Sequence, residues 1–148
     1  MVDARKLQAV VTVKVPYHDA DPAGVAWHGN YLRYFDQARC ALLDKIDYGY
    51  RRMEESGYLW PIVDARIRFI YAALYDDEIT VEACLVESEY RLKIEYVIRN
   101  KDGKKITKGH TVQVAVVIDT GELCIGSPAA LLERIESYED SIGAEHDG

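Results

Sequence analysis

Between Pro16 and Tyr31, this chain of 148 residues gathers side chains able to act on a carbonyl group. Asp21 precedes Pro22, so its carboxylate sits on a stiffened turn just upstream of a segment predicted to be helical. The N–H groups that open such a helix, around His28 and Gly29, lack intrahelical acceptors. They can receive a carbonyl oxygen and stabilise the negative charge that develops on it. A carboxylate facing that carbonyl has two routes: direct attack to give an acyl-enzyme anhydride, or activation of a water as general base. Gly24 removes a side chain where the loop turns, and Gly29 permits close backbone approach by a ligand. Taken alone, Asp21 also reads as a turn or helix-capping aspartate. His28 also reads as a structural histidine.

Other reactive residues carry weaker signals. His18, Asp19, Asp21 and His28 lie near one another in sequence, but their spacing matches no established zinc pattern, and no metal is expected. Cys40 falls mid-helix with no histidine base nearby and reads as a buried thiol. Cys40, Cys84 and Cys124 are odd in number and widely spaced, as in a reducing cytoplasm. No Gly-x-Ser-x-Gly elbow and no phosphate-cradling glycine loop occurs. Asp36 and Arg39, three apart on the helix, read first as an ion pair.

The elements that position this loop follow from periodicity. Val11, Val13 and Val15 alternate with polar residues, the mark of a half-buried strand, and Pro16 ends it. From Asn30 the period becomes helical: Leu32, Phe35, Ala38, Leu42 and Ile46 form one apolar stripe over about 15 residues. Asn30 is placed to cap that helix. A shorter helix is predicted from Tyr48 to about Ser56, stopping at Gly57. Four further strands are predicted at Val63–Tyr71, Ile79–Leu85, Arg91–Ile98 and Thr111–Ile118, each with one apolar face. Asp102-Gly103 gives a type I′ hairpin signal. Ser127-Pro128 offers an N-cap and first residue for a helix from Ala129 to about Tyr138, followed by a frayed acidic tail. Hairpin-joined strands are antiparallel. The sum is an α+β domain in which a five-stranded antiparallel sheet wraps a long central helix. It occupies the whole chain, 1–148, with its core at about 10–138.

Composition narrows the class. With 18 Lys plus Arg against 25 Asp plus Glu, the net charge is −7, which does not suggest a nucleic-acid partner. No apolar run approaches the roughly 18 residues of a membrane span, and Met1–Lys6 shows no signal-peptide pattern. One helix covers only part of such a sheet. The remaining apolar surface and an open edge strand call for self-association, as a homodimer or homotetramer.

The segment Asp19-Ala-Asp-Pro-Ala-Gly-Val-Ala-Trp-His-Gly-Asn-Tyr31 resembles the signature of hotdog-fold acyl-CoA thioesterases. It is especially similar to the 4-hydroxybenzoyl-CoA thioesterase branch and the short-chain acyl-CoA thioesterases associated with the Tol–Pal system. The resemblance continues through Tyr34-Phe-Asp-Gln-Ala-Arg39 and from Pro61-Ile-Val to Tyr75-Asp-Asp. It implies a hotdog fold and hydrolysis of an aryl- or short/medium-chain acyl-CoA. Coenzyme A would be part of the substrate, and no other cofactor is expected. It maps the catalytic carboxylate onto Asp21 and the carbonyl-polarising amide onto His28. Trp27, Gly29 and Tyr31 would line the substrate site, and Asp36 would meet a ring substituent.

The phosphates of coenzyme A require basic residues despite the net negative charge. Arg91, Lys93, Arg99 and Lys101 share one parity, as do Arg66 and Arg68, and Arg91 and Lys93 lead these candidates. Two rival readings share the fold: an acyl-thioester hydratase or dehydratase pairing His28 with Asp21, and a non-catalytic acyl-CoA binding module.

Overall fold

Residues 7–147 are described by a computed structural model; the reading of Met1–Lys6 lies outside them. The first strand, β1 (Gln8–Lys14), ends at Pro16 as its alternation predicts. After the loop, α1 (Tyr31–Lys45) is followed by the short α2 (Tyr50–Glu55) and by β2 (Tyr58–Leu59). Then come β3 (Ile62–Phe69), β4 (Glu78–Glu87), β5 (Leu92–Arg99), β6 (Lys105–Gln113), β7 (Val116–Val117) and α3 (Ala129–Asp147). Five strands form one antiparallel sheet in the order β1-β4-β5-β6-β3, and β2 pairs with β7 in a separate ribbon. No helix of the described residues is long and apolar enough to cross a membrane.

The helix lies on the sheet through most of the predicted stripe, with Phe35, Ala38, Leu42 and Ile46 buried and the face widened by Tyr31, Tyr34 and Leu43, whereas Leu32 is exposed. The tyrosines take that face because their rings pack while their hydroxyls find partners. Phe35 stacks flat on Tyr96 of β5, with ring centroids 4.3 Å apart. Space for this ring comes from Gly109 of β6, which lies opposite both Tyr96 and Ile67. A Cβ on Gly109 would meet the Arg66 carbonyl oxygen at 2.1 Å and Phe35 Cε2 at 2.9 Å. Gly109→Ala is therefore expected to cost about 1–3 kcal/mol through overpacking. The check is a lower urea midpoint with an unchanged m-value.

Several local expectations are corrected. Asn30 does not cap α1 with its side chain; it continues a 3₁₀ turn, His28–Asn30, that runs directly into the helix. Its Nδ2 donates instead to the Asp19 carbonyl at 3.0 Å. The turn at Asp102-Gly103 is not type I′, since Gly103 has a positive φ but Asp102 does not. Gly103 N–H donates to the Asn100 carbonyl, and Asn100 Oδ1 accepts from Asp102 and Lys104 N–H, which gives a wider turn. The strand predicted at Thr111–Ile118 starts earlier and ends at Gln113, and Val116–Val117 leave the sheet to pair with β2. Its polar first half, Lys105–Gly109, hid the alternation.

Ser127 does not cap the last helix: its Oγ is buried without a hydrogen-bond partner, and the Pro128 carbonyl accepts the first helical bonds. That helix continues through the acidic tail to Asp147. β3, one of the two edge strands, departs from the one-apolar-face pattern: seven of its eight residues are exposed, leaving only Ile67 partly buried. Cys40, expected to be buried, is exposed.

Candidate active site

The loop from Pro16 to Tyr31 is held as a compact unit by its own backbone. Asp21 N–H donates to the Val25 carbonyl at 2.8 Å, and Gly24 N–H to the Asp21 carbonyl at 2.9 Å. Gly24 has φ +80°, the left-handed conformation that closes the turn and that glycine adopts without steric cost. Asp21 Oδ1 accepts from Ala23 N–H at 2.9 Å and Val25 N–H at 3.2 Å. The turn reading of Asp21 is therefore correct for one carboxylate oxygen. Among the described residues, Oδ2 makes no hydrogen bond.

Asp21 lines a cleft of about 280 Å³ with Trp27, His28, Tyr31 and the Phe69–Ala72 segment that follows β3. Trp27 N–H donates to the Asp19 carbonyl and Asn30 N–H to the Trp27 carbonyl. The N–H groups of His28 and Gly29 find no acceptor among the described residues. Thus Asp21 and His28 line one cleft, and a carboxylate oxygen of the first and the backbone N–H of the second have hydrogen-bonding capacity to spare. That combination can attack or hydrate a carbonyl while polarising its oxygen.

Gly29 does not leave open space for a ligand. A Cβ there would lie 2.2 Å from Cζ3 of Trp27, so the indole occupies the space that the glycine vacates. Tyr31 is buried, its ring edge-on to Phe69 at 4.9 Å, and its hydroxyl accepts from Ala73 N–H at 3.1 Å. Burial pushes the Tyr31 pKa up, partly offset by the Ala73 hydrogen bond. The neutral phenol thereby ties α1 to the far wall of the cleft.

The sequence missed the residue that fixes this loop. Asp19, considered there only as a metal ligand, is buried, and its carboxylate accepts from Arg33 Nη2 and from the Tyr34 hydroxyl at 2.8 Å. Its carbonyl accepts from Trp27 N–H and Asn30 Nδ2. Burial raises the Asp19 pKa, but the hydrogen bonds of Arg33 and Tyr34 and the charges of Arg33 and His18 outweigh it, leaving the value below the ordinary one. Tyr34 is pushed strongly upward by burial and by the Asp19 carboxylate. No local pattern signals this network, because its partners lie 14 and 15 positions away. Among the described residues no three His, Cys, Asp or Glu side chains converge as metal ligands.

The remaining predicted site residues are not brought to the cleft. Asp36 pairs with Arg39 at 2.9 Å on α1. Arg91 is held by Glu87 at 2.9 Å, and Lys93 lies opposite Glu87 in the β4–β5 register. Arg99 pairs with Glu82 at 3.0 Å.

Residues 15–135 match the family model described as the thioesterase-like superfamily. The chain belongs to that superfamily. This thioesterase is 30% identical over 132 residues to the 4-hydroxybenzoyl-CoA thioesterase of Pseudomonas sp. (strain CBS-3), covering 87% of this chain and 91% of the relative. Among solved structures it is similar to the DHNA-CoA thioesterase of Staphylococcus aureus, with a TM-score of 0.79 at 23% identity, covering 95% and 93% of the two chains. A 4-hydroxybenzoyl-CoA thioesterase variant complexed with 4-hydroxybenzoyl-CoA superposes with a TM-score of 0.75 at 24% identity, covering 87% and 99%. The thioesterase thus has the hotdog fold and belongs to a class of hydrolases.

Proposed function

We propose that this thioesterase hydrolyses an aryl- or short/medium-chain acyl-CoA to the free acid and coenzyme A. Asp21 acts as nucleophile or general base, and the His28 N–H polarises the thioester carbonyl. The observation that carries this reading is the shared cleft lined by Asp21 and His28, where Asp21 Oδ2 and the His28 N–H have no partner among the described residues. The activity of the relatives supports it. Hydrolysis consumes one water, releases acid and thiol, and changes no oxidation state, so the reaction itself requires no redox cofactor. The test is thiol release from a panel of aryl-, short- and medium-chain acyl-CoAs. Turnover of at least one class is expected, and no release from any of them would overturn the proposal.

The working unit is a homodimer or a homotetramer built from such dimers. β3 forms an open sheet edge and carries exposed Ile62, Val63 and Phe69, continued by Ile70 and Tyr71. An unpaired edge with this much apolar surface pairs with another chain. Antiparallel pairing of two β3 strands about a two-fold axis makes the contact self-complementary. Sedimentation at micromolar concentration is expected to show a dimer or larger species. Val63→Lys, which places a charge on that edge, is expected to shift the population toward monomer. A monodisperse wild-type monomer would contradict the assignment.

A further inference from the structure

Of the two sheet edges, β3 is the one whose apolar row is left uncovered. On β1 that row is Ala9, Val11 and Val13, all buried or half-buried. On β3 it is Val63, Ala65, Ile67 and Phe69, and only Ile67 is partly covered. Phe69 meets Tyr31 of α1, and Ile67 lies opposite Gly109, which makes room for Phe35, so this row faces the helix. Asp64, Arg66 and Arg68 alternate with it and face the other side of the sheet.

Those three charges are poorly matched within the chain. Asp64 lies 3.1 Å from His110 Nε2 and stays largely exposed. Arg66 lies opposite His110 and Arg68 opposite Lys108, so β6 offers neither arginine a carboxylate. The backbone is unmatched as well. The Ile70 N–H donates to the Ile106 carbonyl, and the Arg66 carbonyl is turned toward Gly109, so the even-numbered residues bond to β6. The N–H and C=O groups of Val63, Ala65 and Ile67 therefore face the open edge.

We infer that two copies pair their β3 strands with Ala65 on the two-fold axis, so that Asp64 of each copy meets Arg66 of the other. The inference rests on the β3-paired dimer proposed above and fixes its register. Residues directly opposite in an antiparallel pair share a face, so the two apolar rows stay together only when a residue sits on the axis. Four central positions are available. Asp64 on the axis opposes two carboxylates, and Arg66 on the axis opposes two guanidinium groups. Ile67 on the axis sets Arg66 against Arg68 twice. Like charges directly opposite are destabilising. Ala65 on the axis gives two Asp64–Arg66 pairs and no like-charge pair, with Ala65–Ala65 and Val63–Ile67 contacts on the helix side. The two Ala65 residues then exchange both backbone hydrogen bonds, and Asp64 and Arg66 fall at the closer, non-hydrogen-bonded positions. The same register sets Pro61 of the second copy beside Phe69, which lines the Asp21 cleft.

Two measurements on the full chain test this register. Asp64→Cys, Ala65→Cys and Arg66→Cys are oxidised separately at micromolar concentration, with wild type alongside to account for Cys40, Cys84 and Cys124. Only a residue on the axis meets its own copy, at a Cα separation of about 5.5 Å that a disulfide spans. Ala65→Cys is therefore expected to give at least about tenfold more covalent dimer than either neighbour. The second measurement is the dimer Kd, from sedimentation over a dilution series. Arg66→Asp places two carboxylates together at both contacts and is expected to raise Kd at least about tenfold. Adding Asp64→Arg to that variant restores opposite charges and is expected to return Kd to within about threefold of wild type.

In a protein that sediments as a dimer, cross-linking that favours Asp64→Cys or Arg66→Cys, or that is equal or absent at all three positions, overturns the register and leaves the dimer standing. A double variant that binds no more tightly than Arg66→Asp does the same. Where circular dichroism shows a charge variant unfolded, the cysteine series decides alone. A monodisperse wild-type monomer overturns the register and the dimer together. Thiol release bears only on the proposed chemistry, so the failure of either reading is seen separately.

Discussion

Asp21→Asn is expected to lower kcat by at least about 100-fold, the lower end of what a positioned general base contributes, while acyl-CoA still binds. The structure makes this substitution a clean one. An asparagine Oδ1 can keep accepting from the Ala23 and Val25 N–H groups, so the turn that shapes the loop survives. What changes is the second position of the side chain, where Oδ2 has no partner among the described residues. An amide NH₂ there can neither attack a thioester carbon nor take a proton from water. KM should therefore move little compared with kcat, the signature of an interaction made only in the transition state. Turnover close to wild type would remove Asp21 from the mechanism. A loss confined to KM would reduce it to a binding residue.

The Asp19 network carries the second large effect. Its carboxylate holds Arg33 and Tyr34 of α1, and its carbonyl holds Trp27 and Asn30, so it joins the Asp21 turn to the amides at His28 and Gly29. Asp19→Asn keeps the size of the side chain but turns an NH₂ toward donors. Stability is expected to fall by about 1–3 kcal/mol, the range for a buried polar group left unmatched. The resulting shift of the loop is expected to lower kcat by about 10–100-fold, because small misplacements of a catalytic group are costly.

The pH dependence has a definite sign. The folded-state pKa of Asp19 lies below its ordinary value. Its ionised form therefore stabilises the fold above the unfolded pKa of about 3.9, and that contribution is lost as pH falls through the folded value. Urea unfolding of wild type and Asp19→Asn should show a constant stability gap at neutral pH that narrows in acid, below about pH 4. A gap that stays constant down to acid unfolding would mean that the charge on Asp19 is not what stabilises the loop.

What the sequence determined by itself is local. A strand alternating at Val11, Val13 and Val15, a loop carrying Asp21, Gly24 and Gly29, and a helix starting beyond Asn30 are each written in contiguous residues. Periodicity and turn chemistry act over a few positions. Four of the five sheet strands and the family resemblance were legible for the same reason, whereas most of β6 (Lys105–Gln113) was not. The errors fall where a residue's partner is distant. Asn30 looked like a cap because its competitor, the Asp19 carbonyl, is 11 positions away. Ser127 looked like a cap because the burial of its hydroxyl depends on tertiary packing.

Tertiary structure alone decided that Gly29 accommodates Trp27, that Asp19 anchors the loop, and that β3 is one of the two sheet edges, with β1 the other. It also decided that Arg39 and Gln113 line one cavity, since the hydrogen bond that orients Gln113 spans 53 residues to Trp60. The physical reason is that hydrogen-bond satisfaction and burial are settled by whichever groups the folded chain brings together. A one-dimensional pattern encodes which face an element presents, but not what that face will meet.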